Sequence, residues 1–291
     1  MTQTTRRDRT PSIVDTHLHL WNPAHFRMSW LDHNALLNKT YGLAEYRQHS
    51  AGVNVEAMVY IQTEVETPYA ILEARWAAAC AGEDPRLKGI VPWAPLEYGE
   101  RVRAFLDSLA EIGKRIKGIR RIIQFEPDPD FCLQPNFVRG VQILPEYGWT
   151  FDICIDYTQM TQTIELVRRC PNTTFILDHI GKPNIRNHVL DPWRQQIKTL
   201  AGFPNVWCKM SGLVTEADHQ HWTRDDLRPY IDHVLACFGF QRTCFGGDWP
   251  VAFQAARYEQ WLDALLWATS GCSEDELHHL LHDNGVTFYR L

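Results

Sequence analysis

The sequence has no excess of basic residues and no apolar leader. Lysine and arginine number 29 against 35 aspartate and glutamate residues, which gives a net charge of -6. A protein that binds nucleic acid through its phosphates presents a basic patch or stripe, so this balance argues against that function. We therefore expect a small, neutral or modestly charged molecule as the partner, and neither nucleic acid nor a membrane.

The sequence also lacks any pair of cysteines spaced as C-X-X-C. Its eight cysteines are scattered along the chain, and several lie inside apolar runs. A disulfide framework or a zinc ribbon would need regular spacing, whereas isolated apolar positions are typical of buried thiols. We predict reduced cysteines and a cytoplasmic protein.

The start of the chain is polar. Arg6, Arg7 and Arg9 have no apolar run behind them, so we expect neither a signal peptide nor a transmembrane segment there. We predict an N-terminal tail over residues 1–11 and one domain over residues 12–291. No linker, repeat or low-complexity tract divides that domain.

Apolar runs typical of strands alternate with segments of helical character along the whole domain. The 291 residues are 45% hydrophobic, which is enough for one large core. The alternation predicts a single-domain α/β (β/α)8 TIM barrel with a long loop after its first strand. The predicted strands cover residues 13–20, 55–62, 89–93, 117–124, 149–155, 174–179, 206–211 and 243–248.

The first of these strands ends in two histidines separated by one residue. Side chains alternate along a strand, so His17 and His19 point to the same side. Two imidazoles aimed at one point serve either to hold a metal ion or to polarise a carbonyl oxygen by hydrogen bonding. Polar residues at a strand end without any function are the third interpretation.

Other strands end in polar residues as well. In a (β/α)8 barrel the active site lies at the carboxyl ends of the strands, so these residues are candidates for it. They are Gln62, Arg120 or Arg121, Gln124, Asp156, His179, Lys209, Ser211 and Asp248.

Four of these strand ends carry recognisable segments, VDTHLHLW, LDHIGKP, CKMSGL and FGGDWPV. Together they resemble the amidohydrolase superfamily, and within it the lactonase branch that includes fuconolactonase, rhamnonolactonase and 2-pyrone-4,6-dicarboxylate lactonase. The resemblance covers about residues 12–290. It implies a hydrolase with His17, His19, His179 and Asp248 around the reaction centre.

Lactone hydrolysis needs a base for water, an electrophile for the carbonyl oxygen and an acid for the leaving alkoxide. Asp248 suits the base, and once protonated it can return its proton to the leaving oxygen. The histidines then polarise the carbonyl directly or through a metal.

The wider superfamily usually places a bridging carboxylate or carboxylated lysine on the fourth strand and a histidine on the fifth, and this chain has neither. A two-metal site is therefore not expected. One zinc held by His17, His19 and Asp248 stays open, as does a reaction that needs no metal.

The walls of the pocket bear on the substrate. A carboxylated lactone calls for several arginines, whereas indoles beside polar groups suit a sugar ring. We predict that Arg120 faces inwards, since alternation allows this of only one of Arg120 and Arg121. The predicted substrate-binding residues are Trp30, His33, Gln62, Arg120 and Trp249.

The favoured function is the opening of an L-fucono- or L-rhamnono-type lactone to its aldonic acid. The alternatives are a hydrolase of carboxylated lactones, a metal-dependent decarboxylase of the same barrel type, and a binding barrel without catalysis. A homo-oligomer is compatible with each of them.

Overall fold

Eight parallel strands surround the centre of the molecule. The computed structural model describes residues 11–291, so the predicted tail lies outside the described residues except for Pro11. The strands are β1 Ile13–Leu18, β2 Val55–Ile61, β3 Leu87–Val91, β4 Gly118–Ile119, β5 Thr150–Ile153, β6 Phe175–Leu177, β7 Val206–Met210 and β8 Thr243–Phe245.

Two sheets close into one barrel. Strands β1 to β3 form one sheet and β4 to β8 the other, each in chain order. Bridges between Ile90 and Ile116 and between Leu18 and Trp249 join them. At the second junction the His19 amide donates to the Trp249 carbonyl at 2.8 Å. The predicted (β/α)8 barrel is therefore confirmed.

Helices surround the strands and follow them in alternation. They are α1 Leu43–His49, α2 Ala70–Glu83, α3 Arg103–Ala110, α4 Pro135–Ile143, α5 Met160–Arg169, α6 Trp193–Ala201, α7 Leu213–Glu216, α8 Arg224–Phe238, α9 Tyr258–Ala268, α10 Glu274–His278 and α11 Asn284–Tyr289. The main apolar core lies between these helices and the strands. Along residues 11–291, no helix is both long enough and apolar enough to cross a membrane.

The fourth strand is much shorter than the predicted span of residues 117–124. It ends at Ile119, although the Arg120 amide still donates to the Pro92 carbonyl at 3.0 Å. Beyond that point Ile122 and Gln124 line a cavity and no longer pair with a neighbouring strand. The apolar run predicts burial correctly, but burial against a cavity does not require strand pairing.

A small apolar cluster fills the barrel on the side where the strands begin. It draws on Val59 and Ile61 of β2, on Ile176 and Cys244, and on Tyr289 of the last helix. All eight cysteines are free, as predicted. The C-terminal helix thus closes one end of the barrel, and the opposite end is left for a site.

Candidate active site

A cavity of ≈ 390 Å³ opens at the carboxyl ends of the strands. It is lined by His19, Arg120, His179 and Asp248, together with residues of the loops that follow the strands. His17 lies directly beneath, in contact with His19, Arg120 and His179. The four residues predicted around the reaction centre therefore meet in one place.

The His19 ring has a defined tautomer. Its Nδ1 lies 2.8 Å from the Ile61 carbonyl oxygen, which only accepts, so Nδ1 carries the proton. Burial lowers the pKa of His19, which keeps the ring neutral. The Nε2 lone pair of His19 therefore faces the cavity as an acceptor.

The His17 ring is fully buried beneath His19. Its Nε2 lies 3.2 Å from His19 Nε2 and 3.2 Å from Arg120 Nη1, which only donates. Its Nδ1 lies 3.2 Å from Lys209 Nζ, which likewise only donates, and 3.4 Å from Asp178 Oδ1, so a cationic donor faces each ring nitrogen. Burial and the Lys209 charge hold the pKa of His17 well below its usual range.

His179 follows β6 in a left-handed backbone conformation, with φ +54°. Its Nδ1 lies 3.0 Å from the Ser211 hydroxyl. Gly212 is required beside it, because its φ is +66° and a β-carbon there would overlap His179 Nδ1. Burial, followed by the neighbouring His17, lowers the pKa of His179 well below its usual range.

Asp248 directs a free carboxylate oxygen at these histidines. Its backbone has φ +51°, and its amide donates to the His17 carbonyl at 2.8 Å. Within residues 11–291, Oδ1 of Asp248 is buried without a hydrogen-bond partner. It lies 3.6 Å from His19 Nε2 and 3.8 Å from His17 Nε2.

These donor atoms fit one metal ion. His17 Nε2, His19 Nε2 and Asp248 Oδ1 lie within 3.8 Å of one another, and no described hydrogen bond occupies that carboxylate oxygen. Ligand atoms of His17, His179 and Asp248 also meet, within 4.8 Å. Nitrogen and oxygen donors of this kind are those that zinc takes in catalytic sites.

A buried layer of charge supports His17 from below. Lys209 Nζ lies 2.6 Å from Asp152 Oδ2 and 3.0 Å from Asp178 Oδ1, and the Tyr289 hydroxyl donates to Asp152 at 2.6 Å. Burial raises the pKa of Asp152 to about 6. The pKa of Asp178 is lowered, because the electrostatic effects of Lys209, His179 and Arg120 together outweigh the effect of burial.

The predicted substrate-binding residues divide into two groups. Trp30 and Arg120 line the cavity, and the Trp30 indole donates to the Thr63 carbonyl at 2.9 Å. His33, Gln62 and Trp249 do not line it.

The placement of each of these three side chains has a local reason. His33 is exposed on the loop after β1. Gln62 is fully buried, and its amide donates to Glu64 at 2.8 Å. Trp249 pairs with β1 through its backbone, which directs the indole outwards against Tyr41 and Tyr46.

Arg120 faces inwards and Arg121 outwards, as alternation predicts. Arg120 is 3% exposed and its Nη2 donates to the Gln62 carbonyl at 2.5 Å. Arg121 instead pairs with Glu97 and Glu126.

Several cavity residues escaped the sequence-based prediction, among them Lys182 and Glu216. Lys182 donates to the Gln124 side chain. It lies in an irregular segment after β6, and Glu216 ends the short helix α7 after β7, where no periodicity assigns a direction to a side chain. Lys182 belongs to the LDHIGKP segment, so that segment was the available signal.

Comparisons with known proteins agree with this geometry. The family model described as Amidohydrolase matches residues 14–291. A relative from Sinorhizobium fredii, named "Uncharacterized protein y4mH", is 30% identical, and the match covers 96% of this chain and 99% of the relative. An L-fucono-1,5-lactonase from Burkholderia multivorans is also 30% identical, with 96% of each chain covered.

A solved structure is similar over nearly the whole chain. It is the crystal structure of an amidohydrolase from Burkholderia multivorans with bound zinc. The TM-score is 0.87 at 26% identity, and the match covers 96% of this chain and 99% of that one. With residues 14–291 matched by the family model, this chain belongs to the amidohydrolase family and is a hydrolase.

Proposed function

We propose that this enzyme opens a sugar lactone, of the L-fucono or L-rhamnono type, to the aldonic acid. One observation carries the proposal: the unpartnered Asp248 carboxylate oxygen faces the His19 lone pair in a cavity also lined by Arg120 and His179. That arrangement combines a base with donors for a carbonyl oxygen. The similarity to an L-fucono-1,5-lactonase supports the choice of substrate class.

In the proposed reaction, water binds between Asp248 and His19, since both offer acceptors. Asp248 takes the proton as water attacks the lactone carbonyl carbon. Protonated Asp248 then returns the proton to the ring oxygen as the C–O bond breaks. One carboxylate thereby serves both steps, and atoms and protons balance without another acid.

The carbonyl oxygen needs donors during the attack, and we assign this role to His179 and Arg120. If the Ser211 hydroxyl donates to Nδ1 of His179, the ring carries its proton on Nε2 and donates into the cavity. Arg120 supplies a fixed positive charge in the same wall. His19 cannot share this role while neutral, because its single proton is committed to Ile61.

The predicted zinc ligands His17, His19 and Asp248 remain suited to one metal ion. A bound zinc would polarise the carbonyl and lower the pKa of water to about 7. Arg120 Nη1 already lies 3.2 Å from His17 Nε2, so its positive charge opposes a metal ion at that ligand. We therefore propose a zinc that is optional for activity.

The charges of the cavity wall favour a neutral sugar lactone over a carboxylated one. Arg120 and Lys182 are the only arginine and lysine in the wall that residues 11–291 provide, and the carboxyl groups of Glu64 and Glu216 oppose them. Arg27, on the loop after β1, pairs with Asp32. Carboxylates accept hydrogen bonds from sugar hydroxyls, and the Trp30 ring offers a flat apolar face.

The direct test is acid release from a panel of aldonolactones and carboxylated lactones, followed with a pH indicator. We expect one stereochemical set of sugar lactones to open far above the spontaneous rate. Asp248→Asn should reduce kcat by roughly 10²- to 10⁴-fold, the usual contribution of a general base. Wild-type turnover by Asp248→Asn would remove Asp248 from the mechanism, and an inactive wild type would reject the lactonase proposal.

The second candidate is a zinc-dependent decarboxylase, which the His/Asp donor set favours. It requires bound metal, whereas the proposed lactonase does not. Activity should therefore survive exhaustive chelation if the lactonase proposal holds. Loss of all lactone opening on chelation, with recovery on adding zinc, would contradict the metal-optional mechanism.

The free thiols and the absence of a membrane-spanning helix among residues 11–291 are compatible with a cytoplasmic enzyme. We propose that location, with a small-molecule lactone as the partner.

A further inference from the structure

A cluster of histidines lies at the end of the barrel opposite the cavity. It comprises His278, His282 and Asp283, at the junction of α10 and α11, with Glu56 of β2 beside it. The next residue, Asn284, donates to the carbonyls of Phe240 and Thr243, where β8 begins. This histidine cluster is therefore separate from the residues assigned to lactone opening.

One carboxylate oxygen contacts both histidines of the cluster. Asp283 Oδ1 lies 2.8 Å from His282 Nδ1 and 3.1 Å from His278 Nε2. The two imidazole rings stack with centroids 4.9 Å apart and an interplanar angle of 13°. Two nitrogen donors and one oxygen donor thus converge from the exposed side of the helix.

A π-helical turn causes this convergence. Residues His279–Asp283 form a π-helix, in which the Asn284 amide donates to the His279 carbonyl. In an α-helix residues four apart are neighbours, whereas the wider π-turn brings residues five apart together. His278 and Asp283 are therefore neighbours, while Leu280 and Leu281 are both buried. Such turns are rare and occur frequently at functional sites.

His282 lies between two carboxylates. Its Nε2 lies 3.1 Å from Glu56 Oε2, and its Nδ1 lies 2.8 Å from Asp283 Oδ1. Ionised carboxylates only accept, so the ring satisfies both of them either as an imidazolium that donates twice or as a neutral ring whose second nitrogen binds a cation. A metal ion bound by Nδ1 is the second arrangement, and His278 Nε2, 3.1 Å from the same Asp283 oxygen, is placed to be a further ligand.

Glu56 is then an outer-sphere partner of the metal ion, because it hydrogen-bonds to the ligand His282 without binding the ion itself. Histidines that bind a metal commonly donate their other N–H to a carboxylate, which fixes the tautomer and orients the ring. Glu56 would fix the His282 proton on Nε2 and direct the Nδ1 lone pair at the metal. Since Glu56 belongs to β2, an ion bound here would tie the C-terminal helices to the barrel.

We propose that His278 Nε2, His282 Nδ1 and an Asp283 carboxylate oxygen form a transition-metal site, completed by water, that is independent of the cavity. The donor set of two imidazoles and one carboxylate suits Zn²⁺ and its neighbours Co²⁺ and Ni²⁺. Its role is to stabilise the fold, because all three ligands meet only in the folded chain.

The test counts metal ions on the full-length protein. Wild type and variants are stripped of metal, dialysed against Zn²⁺ and analysed for zinc per chain. His282→Ala should bind one ion fewer per chain than wild type, whether or not the cavity holds another ion. Equal counts would overturn the proposal. Lactone turnover should be unchanged in this variant, because the cluster contributes nothing to the cavity.

Two further variants separate this site from a general affinity of surface histidines. The control is His221→Ala, an exposed histidine with a single carboxylate partner, Asp218, at 3.2 Å, and it should keep the wild-type count. Glu56→Gln keeps all three ligands but should weaken zinc binding about 10- to 100-fold, as loss of an outer-sphere partner does elsewhere. Zinc should raise the Tm of wild type by more than that of His282→Ala, which has lost the proposed site but keeps the cavity. A rise of equal size in both proteins would contradict the site.

Discussion

The Arg120 guanidinium lies against the His17 imidazole at the base of the cavity, with Nη1 3.2 Å from Nε2. The same nitrogen lies 3.4 Å from Asp178, and Nη2 donates to the Gln62 carbonyl at 2.5 Å. The first, second and sixth strand ends thus share one side chain. Arg120 consequently places a positive charge beside His17 and beside the proposed carbonyl site.

This contact makes Arg120→Lys a damaging change. Lysine keeps the charge but has no planar fork, so it cannot reach His17, Gln62 and the substrate together. We expect kcat for the sugar lactone to fall by about 10²- to 10³-fold, as on loss of one oxyanion donor. Steady-state kinetics on the lactone identified by the panel provide the measurement.

Arg121→Lys is the matched control for that experiment. Arg121 is the adjacent residue but pairs with Glu97 and Glu126, away from the cavity. It should keep kcat close to wild type. Equal losses in the two variants would show that the effect is structural and would contradict the role of Arg120.

Glu216→Gln should change which lactones the enzyme accepts. Burial raises the pKa of Glu216 while Lys182 opposes the rise, so charge at this position is sensitive to its surroundings. The carboxylate repels an anionic substrate, and the amide does not. We expect kcat/KM for carboxylated lactones, relative to sugar lactones, to rise about tenfold, roughly 1.4 kcal/mol. Glu83→Gln, on the exposed end of α2, makes the same change of net charge and should leave the ratio alone.

The sequence predicted those parts of the site that depend on local periodicity. Alternation placed His17 and His19 together and allowed only one of Arg120 and Arg121 to face inwards, because a strand fixes side-chain direction over a few residues. The strand ends supplied His179 and Asp248, because parallel strands of a barrel end at one face.

Other parts depend on contacts between distant segments. Lys209 meets His17 only in the closed barrel, and Tyr289 reaches Asp152 from the last helix. Trp249 follows Asp248 directly, so the sequence suggested the cavity for both, but pairing with β1 sends the indole to the helical layer. No local sequence pattern predicts these long-range contacts or the direction of the Trp249 indole.

Lys209→Met should strongly destabilise the protein. Lys209 is fully buried between Asp152 and Asp178, and its loss leaves Asp152 without its cation and Asp178 with Arg120, at 3.4 Å, in place of two cations. Breaking a buried ion pair by removing one partner costs about 3–5 kcal/mol. Urea unfolding followed by circular dichroism measures the free energy of unfolding.

The control is Lys198→Met, which replaces an exposed lysine. Its free energy of unfolding should stay within about 0.5 kcal/mol of wild type. Tyr289→Phe, which removes one hydrogen bond to Asp152, should cost about 1–3 kcal/mol. A Lys209→Met variant as stable as wild type would contradict this account of the buried charges.

Because of Asp84, the free energy of unfolding should fall at low pH. Its carboxylate accepts from Arg86 at 2.8 Å and from Arg47 at 3.1 Å, and these bonds, with Arg86 foremost, lower the pKa of Asp84 to about 2. A pKa lower in the folded state than the ordinary 3.8 means that the contribution is complete above pH 3.8. It is lost as the pH falls from there towards 2, since the folded and unfolded chains then bind the same number of protons.

Asp84→Asn should therefore be less stable than wild type by about 1–3 kcal/mol at pH 7, and the difference should shrink in acid. Urea unfolding of both proteins between pH 7 and the acid limit of folding gives that difference at each pH. Asp191→Asn, in which the lost carboxylate is exposed and paired with Arg194, should show almost no difference at any pH. A constant gap between wild type and Asp84→Asn across the acid range would mean that Asp84 acts through its shape and not through its charge.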